Sequence, residues 1–232
     1  MYKEILEKIK LEIEECTAKS GRHSDEVKLL AVTKTHPVEV IKASLDEGFE
    51  FIAENKVQEA EVKIPQLAGL YKEFHFIGHL QSNKINKLLS LNPDLIHSLD
   101  KLSTAEKLNK SLEKLNKKQA VLIEVNTSGE ESKNGINPED LSNFLEKIDL
   151  MDNIQVKGLM TIGALTNNEE EIRKCFRLLK SLFEEHKNKQ YQNCEMKYLS
   201  MGMSNDFKIA ISEGSNIIRL GSIIYGYRNY TK

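Results

Sequence analysis

Lys34 is the residue whose position most clearly suggests chemistry. It follows a mostly apolar run, residues 27–33, and stands three residues before Pro37. An apolar run that ends on a lysine, with a proline closing the strand, places an amine at the rim of a sheet, where α/β proteins keep their functional groups. Apolar surroundings lower the pKa of a lysine, and the neutral amine attacks carbonyl groups to give Schiff bases. Most lysines are simply solvated, so this segment alone does not decide the role of Lys34.

Two later loops carry residue types that bind phosphate. Ser200 and Ser204 follow one predicted strand, and Gly221 and Ser222 follow the last one. Exposed backbone N–H groups and a serine at a helix start donate hydrogen bonds to an anion. In barrels the phosphate site is often built from the loops after strands seven and eight. Either loop alone is equally typical of a helix cap or a turn, but the two together favour a phosphate.

A lysine that forms a Schiff base opposite a phosphate site fits two chemistries. One is a phosphosugar aldolase, and the other is a protein that holds pyridoxal 5′-phosphate. Arg219, at the end of the last predicted strand, bears on the choice, because an Asp or Arg partner to the pyridine nitrogen is expected in pyridoxal phosphate sites. An arginine in a surface ion pair is also common, so the residues themselves leave both chemistries open.

Eight short apolar runs, alternating with longer helical patterns, provide the elements that would position these residues. No composition break, repeat or low-complexity linker interrupts them, so we predict a single (β/α)₈ TIM-type barrel domain over residues 1–232. A doubly wound open sheet is the alternative, because counting strands does not exclude it. The predicted strands are 28–33, 49–53, 74–77, 95–98, 120–125, 156–162, 196–199 and 217–220.

Helical patterns are visible both before and between these strands. An extra N-terminal helix is predicted from Ile5, Ile9 and Ile13 and should end near Gly21. It is charged and has none of the features of a signal peptide. Asn168, followed by three glutamates, is typical of a helix start.

Composition and cysteine spacing argue against several classes of partner. The net charge of −2 gives no basic footprint for nucleic acid or a membrane surface, and no apolar run approaches membrane length. Cys16, Cys175 and Cys194 are widely separated and odd in number, which argues against disulfides and zinc. His75 and His79 straddle a predicted strand end and so lack the helical spacing of a two-histidine zinc site. We therefore expect a cytoplasmic protein without a metal, nucleic-acid or membrane partner.

Six segments, spread over nearly the whole chain after the first helix, carry a family resemblance. They are LAVTKT (30–35), ENKVQE (54–59), HFIGHLQSNK (75–84), GLM (158–160), LSMGMS (199–204) and RLGSIIYG (219–226). With these segments the chain resembles the pyridoxal phosphate homeostasis protein family (YggS-type proteins), and the Ser-Met-Gly-Met-Ser run is highly specific. The fold of that family is similar to the barrel domain of alanine racemase without the second domain of that enzyme.

The resemblance implies a cofactor, pyridoxal 5′-phosphate, and a set of binding residues. Lys34 would form the internal aldimine, Arg219 would face the pyridine nitrogen, and Asn55 would lie beside the cofactor. The residues that the resemblance places around the phosphate are Ser200, Ser204, Gly221 and Ser222.

Three positions depart from the family pattern. His36 stands where the family usually has a second lysine, Lys56 where it usually has tyrosine, and Phe74 where tryptophan is frequent. These departures affect any ring stacking, or any contact from a second lysine, near the end of the predicted barrel at which Lys34 lies. They leave Lys34 and the phosphate loops unchanged.

The resulting functional prediction is a carrier that buffers or delivers pyridoxal phosphate through a Lys34 Schiff base, with no catalytic residues of its own. Apo-enzymes that need the cofactor are the implied transient clients, and we expect a monomer or a weakly associating protein. The alternative is an amino-acid racemase that works through the same aldimine. Two-base racemisation needs an acid or base on each face of the substrate, and alanine racemase draws one of them from a partner subunit through regions that we do not expect in this chain.

Overall fold

A computed structural model describes residues 1–226, in which eight parallel strands form a closed barrel. The strands are β1 (Lys28–Val32), β2 (Phe51–Glu54), β3 (Glu73–Phe76), β4 (Leu95–Leu99), β5 (Gln119–Glu124), β6 (Ile154–Met160), β7 (Cys194–Ser200) and β8 (Ile217–Leu220). Each strand pairs with the next along the chain, and β8 closes the barrel against β1 with Leu30 opposite Arg219. The predicted (β/α)₈ barrel is confirmed, and the open sheet is excluded.

One helix follows each strand, and one more precedes the barrel. Within residues 1–226 the helices are α1 (Tyr2–Lys19), α2 (Val38–Asp46), α3 (Val57–Lys63), α4 (Ile85–Ser90), α5 (Leu102–Leu115), α6 (Leu141–Asp149), α7 (Glu169–Lys187), α8 (Phe207–Ser212) and α9 (Ser222–Tyr225). None of these helices is both long enough and apolar enough to cross a lipid bilayer.

The N-terminal helix packs onto the barrel through its apolar face. Leu6, Ile9 and Ile13 are buried, and Lys208 of α8 forms an ion pair with Glu12 of α1 at 3.1 Å. The helix ends at Lys19, two residues before the predicted end. The predicted start of α7 is also confirmed, because the side-chain oxygen of Asn168 accepts a hydrogen bond from the N–H of Glu170 at 3.0 Å.

Alternation along the strands separates two apolar layers. Residues of one parity fill the interior of the barrel, and residues of the other parity pack under the helices. The buried members of the inner cluster are Leu30, Val32, Ala53, Leu95, Leu122, Met160 and Ile217. On β1, Leu30 and Val32 face inward and Ala31 packs outward, so continuing the alternation turns Thr33 toward the helices and Lys34 toward the barrel axis.

Gly158 marks the closest backbone approach between β6 and β7. Its φ is +138°, and a Cβ atom placed there would lie 1.9 Å from the carbonyl oxygen of Tyr198. The register of the two strands also shifts between Val156 and Gly158. Only glycine meets both conditions, because any side chain would force the two strands apart.

We expect Gly158→Ala to lower the free energy of unfolding by about 3 kcal/mol or more, since it combines an unfavourable φ with an overlap against rigid backbone. Urea denaturation followed by circular dichroism measures the change. Gly69→Ala is the matched control, because Gly69 also has positive φ (+82°) but nothing lies within 4 Å of its added Cβ. Similar losses in the two variants would contradict the packing argument.

Candidate functional site

Lys34 lies on a tight turn at the carboxyl end of β1. The strand ends at Val32, and Lys34 and Thr35 form the turn that leads to Pro37, the residue before α2. Thr35 has a φ of +68°, which is unfavourable for a β-branched residue. Its N–H donates to Oε2 of Glu59 on α3 at 2.6 Å, so α3 holds this strained backbone in place. The Lys34 side chain is half-buried at the barrel mouth.

A buried ion-pair network lies beneath this turn, on the helix side of β1 and β2. Nζ of Lys63 lies 2.8 Å from Oε1 of Glu54 and 2.8 Å from Oε2 of Glu59, and it donates to the carbonyl oxygen of Thr33 at 3.0 Å. The hydroxyl of Thr33 donates to Oε1 of Glu54 at 2.7 Å. Burial raises the pKa of Glu54, and the hydrogen bonds from Lys63 and Thr33 oppose that rise. The network fixes both residues that flank Lys34.

Asn55 brings an unsatisfied acceptor to the same rim. It directly follows β2, and its Oδ1 is buried without a hydrogen-bond partner among the described residues. An unpaired buried acceptor costs about 1–3 kcal/mol unless a ligand donates to it. Gly78 lets the backbone of the neighbouring loop approach, because a Cβ there would lie 1.9 Å from the carbonyl oxygen of Asn55. Asn55 is therefore placed to contact a bound molecule.

Arg219 is a buried cation that points across the interior of the barrel. Its Nη1 donates to the hydroxyl of Ser200 at 2.7 Å, and its Nη2 donates to the carbonyl oxygen of Thr161 at 2.9 Å. Burial lowers the pKa of Arg219 to about 10, although Asp206 and Glu124 act in the opposite direction. The guanidinium thus stays protonated at neutral pH, and two fixed bonds define its plane.

Three of the predicted phosphate residues meet where the loop after β7 approaches the start of α9. The hydroxyl oxygen of Ser204 accepts from the N–H of Gly221 at 3.3 Å and from the N–H of Ile223 at 3.4 Å. Ser222 is the first residue of α9. Ser200 lies elsewhere, since its fully buried hydroxyl contacts Arg219 and the ring of His97. The structure therefore groups Ser204, Gly221 and Ser222 and sets Ser200 apart from them.

Comparison with known proteins agrees with this arrangement. Residues 7–229 match the family model described as the alanine racemase N-terminal domain. A pyridoxal phosphate homeostasis protein of Aquifex aeolicus is 41% identical over 227 residues, which cover 98% of each chain. The chain belongs to the pyridoxal phosphate homeostasis protein family.

Two solved structures extend the similarity to the fold of this family. The crystal structure of an unknown protein from Bifidobacterium adolescentis has a TM-score of 0.91 at 36% identity, covering 97% of this chain and 94% of its own. PipY from Synechococcus elongatus, solved with PLP bound, has a TM-score of 0.80 at 31% identity, covering 92% of this chain and 100% of its own. The shared fold therefore accompanies cofactor binding in one relative.

The three departures from the pattern of the pyridoxal phosphate homeostasis proteins have different surroundings. The ring of His36 lies over the ring of Tyr225, with centroids 4.7 Å apart and planes inclined by 32°. This contact joins the Lys34 turn to α9. Lys56 is exposed at the start of α3, 3.8 Å from Glu59, whereas Phe74 is buried under the helices. Of the three, His36 therefore connects directly to the site.

Glu124 and Asp100 are buried acids at the barrel mouth that were not among the site residues predicted from the sequence. Glu124 ends β5, and Asp100 follows β4, where its Oδ2 accepts from the N–H of Gly135 at 3.3 Å. Burial and the charge of Asp100 raise the pKa of Glu124 to about 7, while Arg219 acts in the opposite direction. Glu124 is the one charged residue of the otherwise apolar predicted strand 120–125, and that mismatch was the available signal.

The raised pKa of Glu124 predicts a pH-dependent stability. Its folded-state value of about 7 exceeds the ordinary 4.5, so the folded protein binds the proton more tightly than the unfolded chain. This contribution is complete below about pH 4.5 and is lost as the pH rises through 7, by about 3 kcal/mol. We expect Glu124→Gln to lose less stability than wild type between pH 5 and pH 8 in urea denaturation.

The control for this experiment is Glu131→Gln, which changes an exposed glutamate in the loop after β5. Its pH dependence should follow that of wild type, because both proteins keep the buried acid. If Glu124→Gln also followed wild type, then Glu124 would ionise in the folded protein as it does in the unfolded chain.

Proposed function

We propose that this protein binds pyridoxal 5′-phosphate covalently at Lys34 and buffers or delivers it in vitamin B6 homeostasis. The observation that carries the proposal is the meeting at one rim of an amine, a cation and a loop with weakly bonded N–H groups. Since β1 and β8 are neighbours, Lys34 and Arg219 flank the same end of the barrel, beside Ser204 and Gly221. The PLP-bound relative supports this choice of ligand.

Lys34 supplies the amine of the covalent link. A primary amine condenses with an aldehyde with loss of one water molecule, and the cofactor would supply that aldehyde when bound. The chain contributes the orientation of the amine, because Glu59 holds the N–H of Thr35 and Lys63 holds the carbonyl of Thr33. A fixed backbone reduces the entropy lost when the link forms.

Arg219 would donate to the pyridine nitrogen and leave that nitrogen unprotonated, since a guanidinium keeps its proton at neutral pH. The ring is then held without becoming a full electron sink, which suits a carrier better than a general amino-acid enzyme. Arginine alone does not forbid racemisation, but the racemase alternative also needs a second base opposite Lys34.

The phosphate would lie against Ser204, Gly221 and Ser222. The bonds from Gly221 and Ile223 to the hydroxyl of Ser204 are long, at 3.3 and 3.4 Å, so an anion can take over these N–H donors at little cost. The unpaired Oδ1 of Asn55 would accept a hydrogen bond from the cofactor.

We also propose the clients, the oligomeric state and the location of this carrier. Apo-enzymes that require pyridoxal phosphate would be its transient clients, and it would act as a monomer with residues 1–232 in one domain. A cytoplasmic location is supported by three free thiols, at Cys16, Cys175 and Cys194, because cysteines stay reduced in that compartment.

Borohydride reduction of the cofactor-loaded protein, followed by peptide mapping, tests the covalent link. We expect the pyridoxyl group on Lys34 and loss of the visible absorption band in Lys34→Ala, because no other amine would have the same support from Glu59 and Lys63. Lys56→Ala removes an exposed amine near the same turn and should keep the band.

A pyridoxyl group on another lysine would refute the assignment. The same proteins, incubated with L- or D-alanine in deuterated water, also separate the two functions. Negligible exchange of the α-proton fits a carrier, whereas rapid exchange that Lys34→Ala abolishes would identify a racemase.

Ser204→Ala tests the phosphate contacts. Loss of a hydrogen bond to a charged group costs about 1.5–3 kcal/mol, so the affinity for pyridoxal phosphate should fall roughly 10- to 150-fold. The affinity for pyridoxal, which has no phosphate, should barely change. Equilibrium titration with both compounds measures the ratio, and Ser212→Ala on the exposed face of α8 is the control. Equal affinities of the wild type for the two compounds would overturn the placement.

A further inference from the structure

A continuous chain of hydrogen bonds crosses the interior of the barrel from Arg219 to the opposite end. The hydroxyl of Ser200 contacts Nη1 of Arg219 at 2.7 Å and Nδ1 of His97 at 3.0 Å. Nε2 of His97 contacts Nδ1 of His75 at 2.8 Å, and Nε2 of His75 contacts Oε2 of Glu73 at 2.7 Å. Glu73 begins β3, whereas Arg219 lies near the end of β8. The chain thus links the floor of the barrel to its mouth.

With both histidines neutral, every hydrogen bond in this chain has one direction. An ionised carboxylate only accepts, so Nε2–H of His75 donates to Glu73 and Nδ1 of the same neutral ring accepts. The next bond therefore runs from Nε2–H of His97 to Nδ1 of His75, which leaves Nδ1 of His97 as an acceptor. A guanidinium only donates, so the oxygen of Ser200 accepts from Arg219, and its O–H donates to Nδ1 of His97. Both rings then carry their proton on Nε2.

The charges of the surrounding groups agree with this pattern. The hydrogen bond from His75 lowers the pKa of Glu73 to about 2, with a further contribution from Lys28, whose Nζ pairs with the same carboxylate. Burial lowers the pKa of His75 and of His97. A carboxylate at one end and a guanidinium at the other therefore enclose two neutral rings.

Packing alone does not explain such a chain. Ser200, His97 and His75 are each fully buried, and they share the interior with apolar side chains such as Leu30 and Leu122. Burying polar groups costs free energy that an apolar layer of the same volume would not cost. A chain with every partner satisfied does, however, fix one geometry, because reversing any single bond leaves a buried donor or acceptor unpaired.

We propose that Ser200, His97 and His75 are positioning residues that hold the guanidinium of Arg219 in place for the cofactor ring, and that Ser200 is not a phosphate ligand. The inference deepens the proposed function, on which it rests. Thr161 fixes Nη2 of Arg219 through its carbonyl oxygen, and Ser200 fixes Nη1. The two bonds together set the plane and the direction of the guanidinium group that would donate to the pyridine nitrogen.

The first test uses the protein without cofactor, so it does not depend on the proposed function. In ¹⁵N-histidine-labelled protein, two-bond ¹H–¹⁵N correlation spectra should show His75 and His97 neutral with the proton on Nε2. Ser200→Ala should shift the Nδ1 resonance of His97, which loses its donor, and Ser204→Ala should leave it unchanged. A proton on Nδ1 of either ring, or no shift in Ser200→Ala, would overturn the chain.

The second test compares the two serines in the loaded protein. Ser200→Ala should weaken pyridoxal and pyridoxal phosphate by the same factor, of the order of tenfold, and shift the visible absorption maximum. Ser204→Ala should lower only the affinity for the phosphorylated compound. Ser200→Thr keeps a hydroxyl and should restore affinity and spectrum. If Ser200→Ala instead lowered the preference for the phosphate with an unchanged spectrum, Ser200 would be a phosphate ligand.

The two tests separate failure of the inference from failure of the proposed function. Wild-type protein that bound no cofactor would refute the proposed function and the positioning role together, while the histidine spectra would still report whether the chain exists. Wild-type protein that bound cofactor but showed the opposite tautomers would refute the chain alone.

Discussion

The pairing of β8 with β1 is the contact on which the site depends. It places Leu30 opposite Arg219, so the turn that carries Lys34 lies beside the strand that carries the cation. Parallel strands end at the same rim, and closure brings the first and last strands of the chain together there. An open sheet with the same residues could leave the amine and the guanidinium on strands far apart.

Two buried cations are then held from opposite sides of β1. On the helix side Lys63 bonds to Glu54 and Glu59, and in the interior Arg219 bonds to Ser200 and the backbone. Burying each charge costs free energy. Each charge in return holds its neighbours in a fixed geometry, which an apolar side chain could not do. The outer network fixes the position of the amine, and the inner chain fixes the direction of the guanidinium.

The barrel was largely predictable from the sequence, but its interior was not. Apolar runs located all eight strands, although β7 was predicted over 196–199 and spans Cys194–Ser200, because Cys194 is only half-buried and Glu195 is exposed. Closure was left open, since a run of residues does not say which strand it pairs with. The chain through His75 and His97 was missed because the stagger of separate strands brings the two rings together. Lys34 and Arg219 were visible because each stands at a strand end.

One fold hosts many functions, so the barrel itself does not distinguish a carrier from an enzyme. The side chains around the pyridine ring of the cofactor would make that distinction. A guanidinium with a pKa of about 10 would give the pyridine nitrogen a hydrogen bond but no proton. The inner chain would strengthen that bias, because it ties Arg219 through neutral rings to an ionised carboxylate. The same contacts that orient the cofactor would therefore also keep it unreactive while it is stored.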